Sequence, residues 1–79
     1  MTEIDVFGAE WCTKTSGIRN YLQSQWLDFN YFDVELDEVA AERVRSFYNG
    51  KLKFPTVKIN DKILKNPSIA ELRTAIKEI

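Results

Sequence analysis

Ile4-Asp5-Val6-Phe7-Gly8-Ala9-Glu10-Trp11-Cys12-Thr13-Lys14-Thr15 opens the chain on a change of hydrophobic period. Ile4 to Phe7 is a short apolar run that reads as a buried strand, ended by Gly8-Ala9. From Thr13 to about Leu27, Ile18, Tyr21, Leu22 and Trp26 recur at three- and four-residue steps, as one face of a helix requires. Gly17 weakens that helix by up to ~1 kcal/mol relative to alanine. Cys12, the only cysteine, stands at the seam between the two elements.

Outward from that seam the pattern continues. Phe29 to Val34 is rich in aromatic and β-branched residues and reads as a second strand. Asp37 starts a second helix, with Val39, Ala40, Val44, Phe47 and Tyr48 on one side. Asn49-Gly50 tolerates positive φ and stops it. Pro55 to Ile59 reads as a third strand, and the turn Asn60-Asp61-Lys62 leads into Ile63-Leu64, so the last two strands form a hairpin. Pro67-Ser68 introduces the final helix. Ser68 and Glu71 have capping-box spacing, and Ile69, Leu72, Ile76 and Ile79 form its apolar stripe.

The order is therefore β-α-β-α-β-β-α. Its opening β-α-β unit implies a parallel strand pair with a right-handed crossover. The closing hairpin adds antiparallel strands. Together they predict an α/β fold of the thioredoxin-like class: a mixed four-stranded sheet with three helices on both faces, as one domain over 1–79.

Composition narrows the chemistry. A chain of 79 residues buries about 60% of its unfolded surface, enough for a modest core. Eleven basic and twelve acidic residues give a net charge of −1, with no basic stripe for a nucleic-acid backbone. No apolar run approaches the ~18 residues of a membrane span. One cysteine excludes an internal disulfide, and the absence of histidine excludes the common zinc patterns, so no metal is expected. Met1-Thr2-Glu3 shows no basic n-region, and a small domain without disulfide staples points to a reducing cytosol.

Any chemistry of this chain's own then runs through Cys12, the best placed of the few side chains that could act as a nucleophile near neutral pH. At the ordinary pKa of ~8.5, about 3% of a thiol is ionised at pH 7. Ionising about three-quarters needs ~2.7 kcal/mol of preferential thiolate stabilisation. A helix N-terminus supplies ~0.3–1 kcal/mol when exposed and up to ~2 when partly buried. The dipole alone falls short. The Thr15 hydroxyl and N–H, one turn along, offer donors to the sulfur, and Lys14 brings a positive charge. The competing reading is that Cys12 is a small buried hydrophobe.

Trp11-Cys12 after the first strand, Pro55 opening the third strand and the terminal turn-helix resemble the glutaredoxins. The nearest branch is that of the mycoredoxins. It shares the Asp-x-Glu-x-Asp-like end of the second strand (Asp33-Val34-Glu35-Leu36-Asp37) and an alanine-rich second helix closed by Asn-Gly. It also shares Pro55-Thr56-Val57 and Asn66-Pro67-Ser68. The resemblance spans essentially the whole chain. Three positions depart from the usual family pattern. Cys-x-x-Cys is Cys12-Thr13-Lys14-Thr15, Thr-Val-Pro is Lys53-Phe54-Pro55, and the Gly-Gly-acid that holds glutathione is Lys65-Asn66-Pro67-Ser68.

The resemblance implies thiol–disulfide chemistry, here with one thiol. Cys12 would attack a mixed disulfide between a protein and a low-molecular-weight thiol: mycothiol, bacillithiol or glutathione. Thr15 and Lys14 would assist it. Thiolated proteins and a small-thiol reducing system are the implied partners, and a monomer is expected. The resemblance also implies a cis Pro55 facing the cysteine, against an ordinary proline at the start of a strand. Phe54 would line the groove or pack in the core. Trp11 would shield the sulfur or pack beneath it, with Thr13 beside it. Lys53, Lys65, Asn66, Ser68 and Ile69 would hold the polar part of the small thiol, or Ser68 merely caps its helix. Trp26 reads as core or as an anchor for a partner. Two other functions remain open: a redox-inactive peptide-binding module, and two chains sharing an iron–sulfur cluster through Cys12.

Overall fold

β1 (Ile4–Gly8) runs through the interior of a four-stranded sheet ordered β2-β1-β3-β4, with β2 at Asn30–Asp33, β3 at Thr56–Ile59 and β4 at Lys62–Lys65. The computed structural model describes residues 3–50 and 54–78. β1 pairs parallel with β2 and antiparallel with β3, and β3 pairs antiparallel with β4. Three helices complete the chain: α1 (Thr13–Ser24), α2 (Glu38–Phe47) and α3 (Ile69–Lys77). This is the thioredoxin-like arrangement that the order of elements predicts.

The alternation of side chains along β1 divides the core. Ile4 and Val6 point to one face and meet Ile18 and Leu22 of α1, Leu72 and Ala75 of α3, and Val57 and Ile59 of β3. Phe7 points to the other face, against Val34 and Ala40, Ala41 and Val44 of α2. Small alanines let α2 lie close to the sheet, where Phe7 stacks on Phe32 at 5.2 Å between ring centroids. Asp5 shares that second face and is 5% exposed. It is bonded by Arg43 at 3.2 Å and by Asn30 at 3.0 Å, so the buried carboxylate is paired.

Helix ends follow their local chemistry. Asp37 caps α2 by accepting from the Ala40 N–H at 3.1 Å. Ser68 and Glu71 form the expected capping box on α3. α2 closes on Asn49 and Gly50, both at positive φ, with the Gly50 N–H returning to the Arg45 carbonyl at 2.7 Å.

Three expectations are corrected. α1 ends at Ser24 rather than near Leu27, because the Leu27 N–H bonds back to Leu22 and the Trp26 N–H to Gln23. That six-residue closure puts Trp26 in the left-handed region at φ 59°, outside the helix, and leaves it 94% exposed. Leu27 takes the inward place expected of Trp26 and packs on the Leu22 side of the core. Val39 does not join the apolar side of α2: it lies in the first turn and faces solvent. In α3 the inward positions are Leu72 and Ala75, with Ile76 partly covered and Ile69 exposed, while Ile79 lies outside the described residues.

Candidate active site

Cys12 is the N-cap of α1, in extended conformation at φ −81° and ψ 113°. Its carbonyl accepts the first helical bond, from Ser16 at 3.1 Å, and its own N–H bonds Ala9 at 3.1 Å. The residue therefore stands at the N-terminal end of α1, where the first-turn N–H groups are unpaired; its side chain makes no capping hydrogen bond, and it is half-buried.

Thr15, one turn on, is fully buried. Its side chain lies over the end of β1 against Gly8: a Cβ placed on Gly8 would come within 2.3 Å of the Thr15 γ-methyl and 2.4 Å of Oγ1. Among the described residues Thr15 Oγ1 has no hydrogen-bond partner of ordinary geometry. It is nonetheless the strongest influence on Cys12, whose pKa it pulls below the ordinary thiol value. Burial opposes the shift; the Thr15 and Lys14 N–H groups and the Lys14 charge reinforce it. The hydroxyl lies one turn from the sulfur, and its donation to the thiolate is the largest cause of the lowered pKa.

The residues either side of Cys12 reach across to the β3–β4 hairpin. Trp11 meets Phe54 edge-on, with ring centroids 5.6 Å apart. Lys14 Nζ donates to the Asn66 carbonyl at 3.3 Å, and the Asn66 N–H bonds the Pro55 carbonyl at 2.9 Å. Pro55 is buried and its peptide bond with Phe54 is cis. These contacts gather Trp11, Cys12, Lys14, Thr15, Phe54, Pro55 and Asn66 into one rim. Phe54 packs against the core beneath α2, and its ring stands edge-to-face with that of Trp11. Trp11 stands on the rim, 69% exposed, not beneath the sulfur.

Other candidates sit apart. Thr13 is exposed at the first position of α1. Ser68 is occupied as a cap: its N–H donates to Glu71 and its hydroxyl accepts from the Glu71 N–H, both at 3.1 Å. The bond from the Ser68 N–H holds the Glu71 carboxyl below its usual pKa, with Lys14 adding to the effect. A carboxylate thus already faces the start of α3, where Ile69 is exposed. Lys65 lies over the Tyr48 ring at 5.2 Å. Lys53 lies outside the described residues.

Two residues that bear on the site escaped the sequence reading. Glu35 accepts a hydrogen bond from the Trp11 indole and fixes that ring against the end of β2. Its signal was the Asp33–Asp37 stretch, visible only as a likeness. Gly8 is required by the proximity of Thr15, which no local pattern announces.

Comparison with known proteins agrees with this geometry. Residues 4–64 match the glutaredoxin family. Mycoredoxin 1 of Corynebacterium glutamicum is 29% identical over 80 residues, covering 100% of this chain and 99% of that protein. Among solved structures, a thioredoxin-like protein superposes with a TM-score of 0.83 at 23% identity, covering 92% of this chain and 97% of that one. A glutaredoxin from Archaeoglobus fulgidus superposes at 0.80 with 22% identity, covering 98% and 88%. By sequence and by fold, this chain belongs to the glutaredoxin family.

Proposed function

We propose that the protein is a one-thiol oxidoreductase acting on mixed disulfides between proteins and a low-molecular-weight thiol. The observation that carries this is the place of Cys12 at the N-cap of α1, one turn before the buried Thr15 hydroxyl that pulls the thiol pKa down. A thiolate is stabilised there, and attack on a disulfide needs a thiolate. Thr15 stands where a dithiol relative would have its second cysteine, so only one-thiol chemistry balances.

In the first step the Cys12 thiolate attacks the small-thiol sulfur of the mixed disulfide. That forms a Cys12–small-thiol disulfide and expels the protein cysteine as a thiolate, which takes a proton from water. In the second step a second small-thiol thiolate attacks the captured sulfur, releasing Cys12 as thiolate and a symmetric small-thiol disulfide. Each step makes one S–S bond and breaks one, with no net electron left over. A disulfide internal to a substrate protein would leave Cys12 in an unresolved mixed disulfide. The likeness to mycoredoxin makes mycothiol the first thiol to try, then bacillithiol and glutathione.

The test is turnover of a protein mixed disulfide with each of these thiols, for wild type and Cys12→Ser. Turnover lost in Cys12→Ser, with a single small-thiol adduct on wild-type Cys12 by mass spectrometry, supports the reading. Turnover that persists in Cys12→Ser, or none with any of the three, overturns it.

A further inference from the structure

Beyond the small thiol, the rim has a second side with a chemistry of its own. The stretch Asp33-Val34-Glu35-Leu36-Asp37, between β2 and α2, carries three carboxylates and no cation. None of the three is ion-paired among the described residues. Asp33 accepts from the Glu35 N–H at 2.9 Å, Asp37 caps α2, and Glu35 accepts from the Trp11 indole. The neighbouring arginines are spent elsewhere: Arg19 pairs with Glu10, Arg43 with Asp5, and Arg45 with Glu38 and Glu42.

Among these carboxylates the chain exposes apolar surface it has no internal use for. Leu36 is 85% exposed, Val39 73% and Trp11 69%. Isolated exposed apolar residues are ordinary, but here Leu36 and Val39 lie either side of the Asp37 cap, and Trp11 bonds Glu35, the neighbour of Leu36. The Trp11–Glu35 bond makes that turn continuous with the rim beside Cys12. The opposite edge of the sheet is of the other sign, with Lys58, Lys62 and Lys65 on β3 and β4.

We infer that the Trp11–Leu36–Val39 surface, ringed by Asp33, Glu35 and Asp37, docks a cationic segment of the protein substrate that carries an aliphatic or aromatic residue. This rests on the reading of Cys12 as the reacting thiol only for its purpose, not for the binding itself. Unpaired carboxylates favour lysine or arginine and repel acidic segments, which sets partner choice and encounter rate. The apolar side chains among them give such a segment something to bury.

The experiment separates binding from chemistry. 15N-labelled Cys12→Ser protein is titrated with two short peptides that have serine at the substrate cysteine position. One has lysines and a leucine around it; the other has glutamates and the same leucine. The lysine peptide is expected to bind about tenfold more tightly at ~50 mM salt, as three exposed charge pairs of ordinary strength allow. The difference should collapse at ~0.5 M salt, where the Debye length is a few ångströms. The moving resonances should centre on the Trp11 indole, Glu35 and Leu36. In Asp33→Asn/Glu35→Gln/Asp37→Asn the amides keep every hydrogen bond described above, and the preference should vanish.

Equal affinities in wild type, a preference insensitive to salt, or shifts centred elsewhere would overturn the inference. So would a preference that survives the triple substitution. If that variant does not fold, the salt titration of the Cys12→Ser protein still decides. Because no sulfur takes part, failure here leaves the turnover test standing, and failure there leaves this result unaffected.

Discussion

The side chain of Thr15 rests on Gly8, so closely that a single added methyl at Gly8 would fall 2.3 Å from the threonine γ-methyl. That contact joins the end of the central strand to the first turn of the helix that presents the sulfur. It holds a hydroxyl that has no partner of ordinary geometry among the described residues, one turn from the sulfur whose pKa it lowers.

Gly8→Ala should therefore damage the site and the fold together. Both faces of the contact are buried, so Thr15 has no room to retreat without moving the first turn of α1. Overpacking of this kind costs about 1–3 kcal/mol. We expect a lower denaturation midpoint and a thiol pKa shifted toward that of a free cysteine. A variant with wild-type midpoint and pKa would show that the contact does not position Thr15.

Thr15→Val replaces the hydroxyl with a methyl of similar size, and its effect on stability should depend on pH. Among the described residues the wild-type hydroxyl has no hydrogen-bond partner of ordinary geometry, so where the thiol is protonated, removing it should cost little or be favourable by about 1 kcal/mol. A thiol whose pKa is lower folded than unfolded adds stability as pH rises from the folded toward the unfolded value, and loses it on acidification. The valine variant should show a smaller rise, left to the Thr15 and Lys14 N–H groups and the Lys14 charge. Chemical denaturation at pH 5 and pH 9 measures it; parallel curves for the two proteins would be the contrary result.

Thr15→Cys should add a second activity. Residues three apart on a helix have Cβ atoms ~5–6 Å apart, close enough for modest adjustment to allow a disulfide. The variant should reduce internal protein disulfides that the wild type cannot resolve. An insulin-reduction assay showing no gain would mean that the start of α1 does not bring position 15 to the sulfur.

Arg43→Met tests a part of the protein remote from the chemistry. It would leave the Asp5 side chain, 7% exposed, with only the Asn30 amide among the described residues. Removing one member of a buried ion pair costs ~3–5 kcal/mol, and the partial exposure of Arg43 lowers the expectation to about 2–4. The midpoint of urea denaturation should fall accordingly, and a loss under about 0.5 kcal/mol would contradict the pairing.

Much of this was legible in the chain, for reasons that differ by element. Period and capping residues are local, so the strand–helix seam at Cys12, the cap at Asp37 and the Ser68–Glu71 box could be read directly. Trp26 could not. Its spacing continues the apolar stripe of α1, while the closure that ejects it is a backbone arrangement usually marked by glycine, and here a tryptophan fills the left-handed position. Val39 was likewise lost because its place in the first turn of α2 leaves that side uncovered. The Trp11–Glu35 bond, the Asp5–Arg43 pair and the Gly8–Thr15 contact join residues far apart in sequence or in different elements. Only the folded sheet creates them.

The most direct measurement is the rate of Cys12 alkylation against pH, in wild type and in Thr15→Val. With one cysteine in the chain the signal belongs to a single sulfur. The wild-type midpoint should lie clearly below the ~8.5 of a free thiol and move upward in the valine variant. A wild-type midpoint at or above that value, unmoved by the substitution, would contradict the stabilised thiolate.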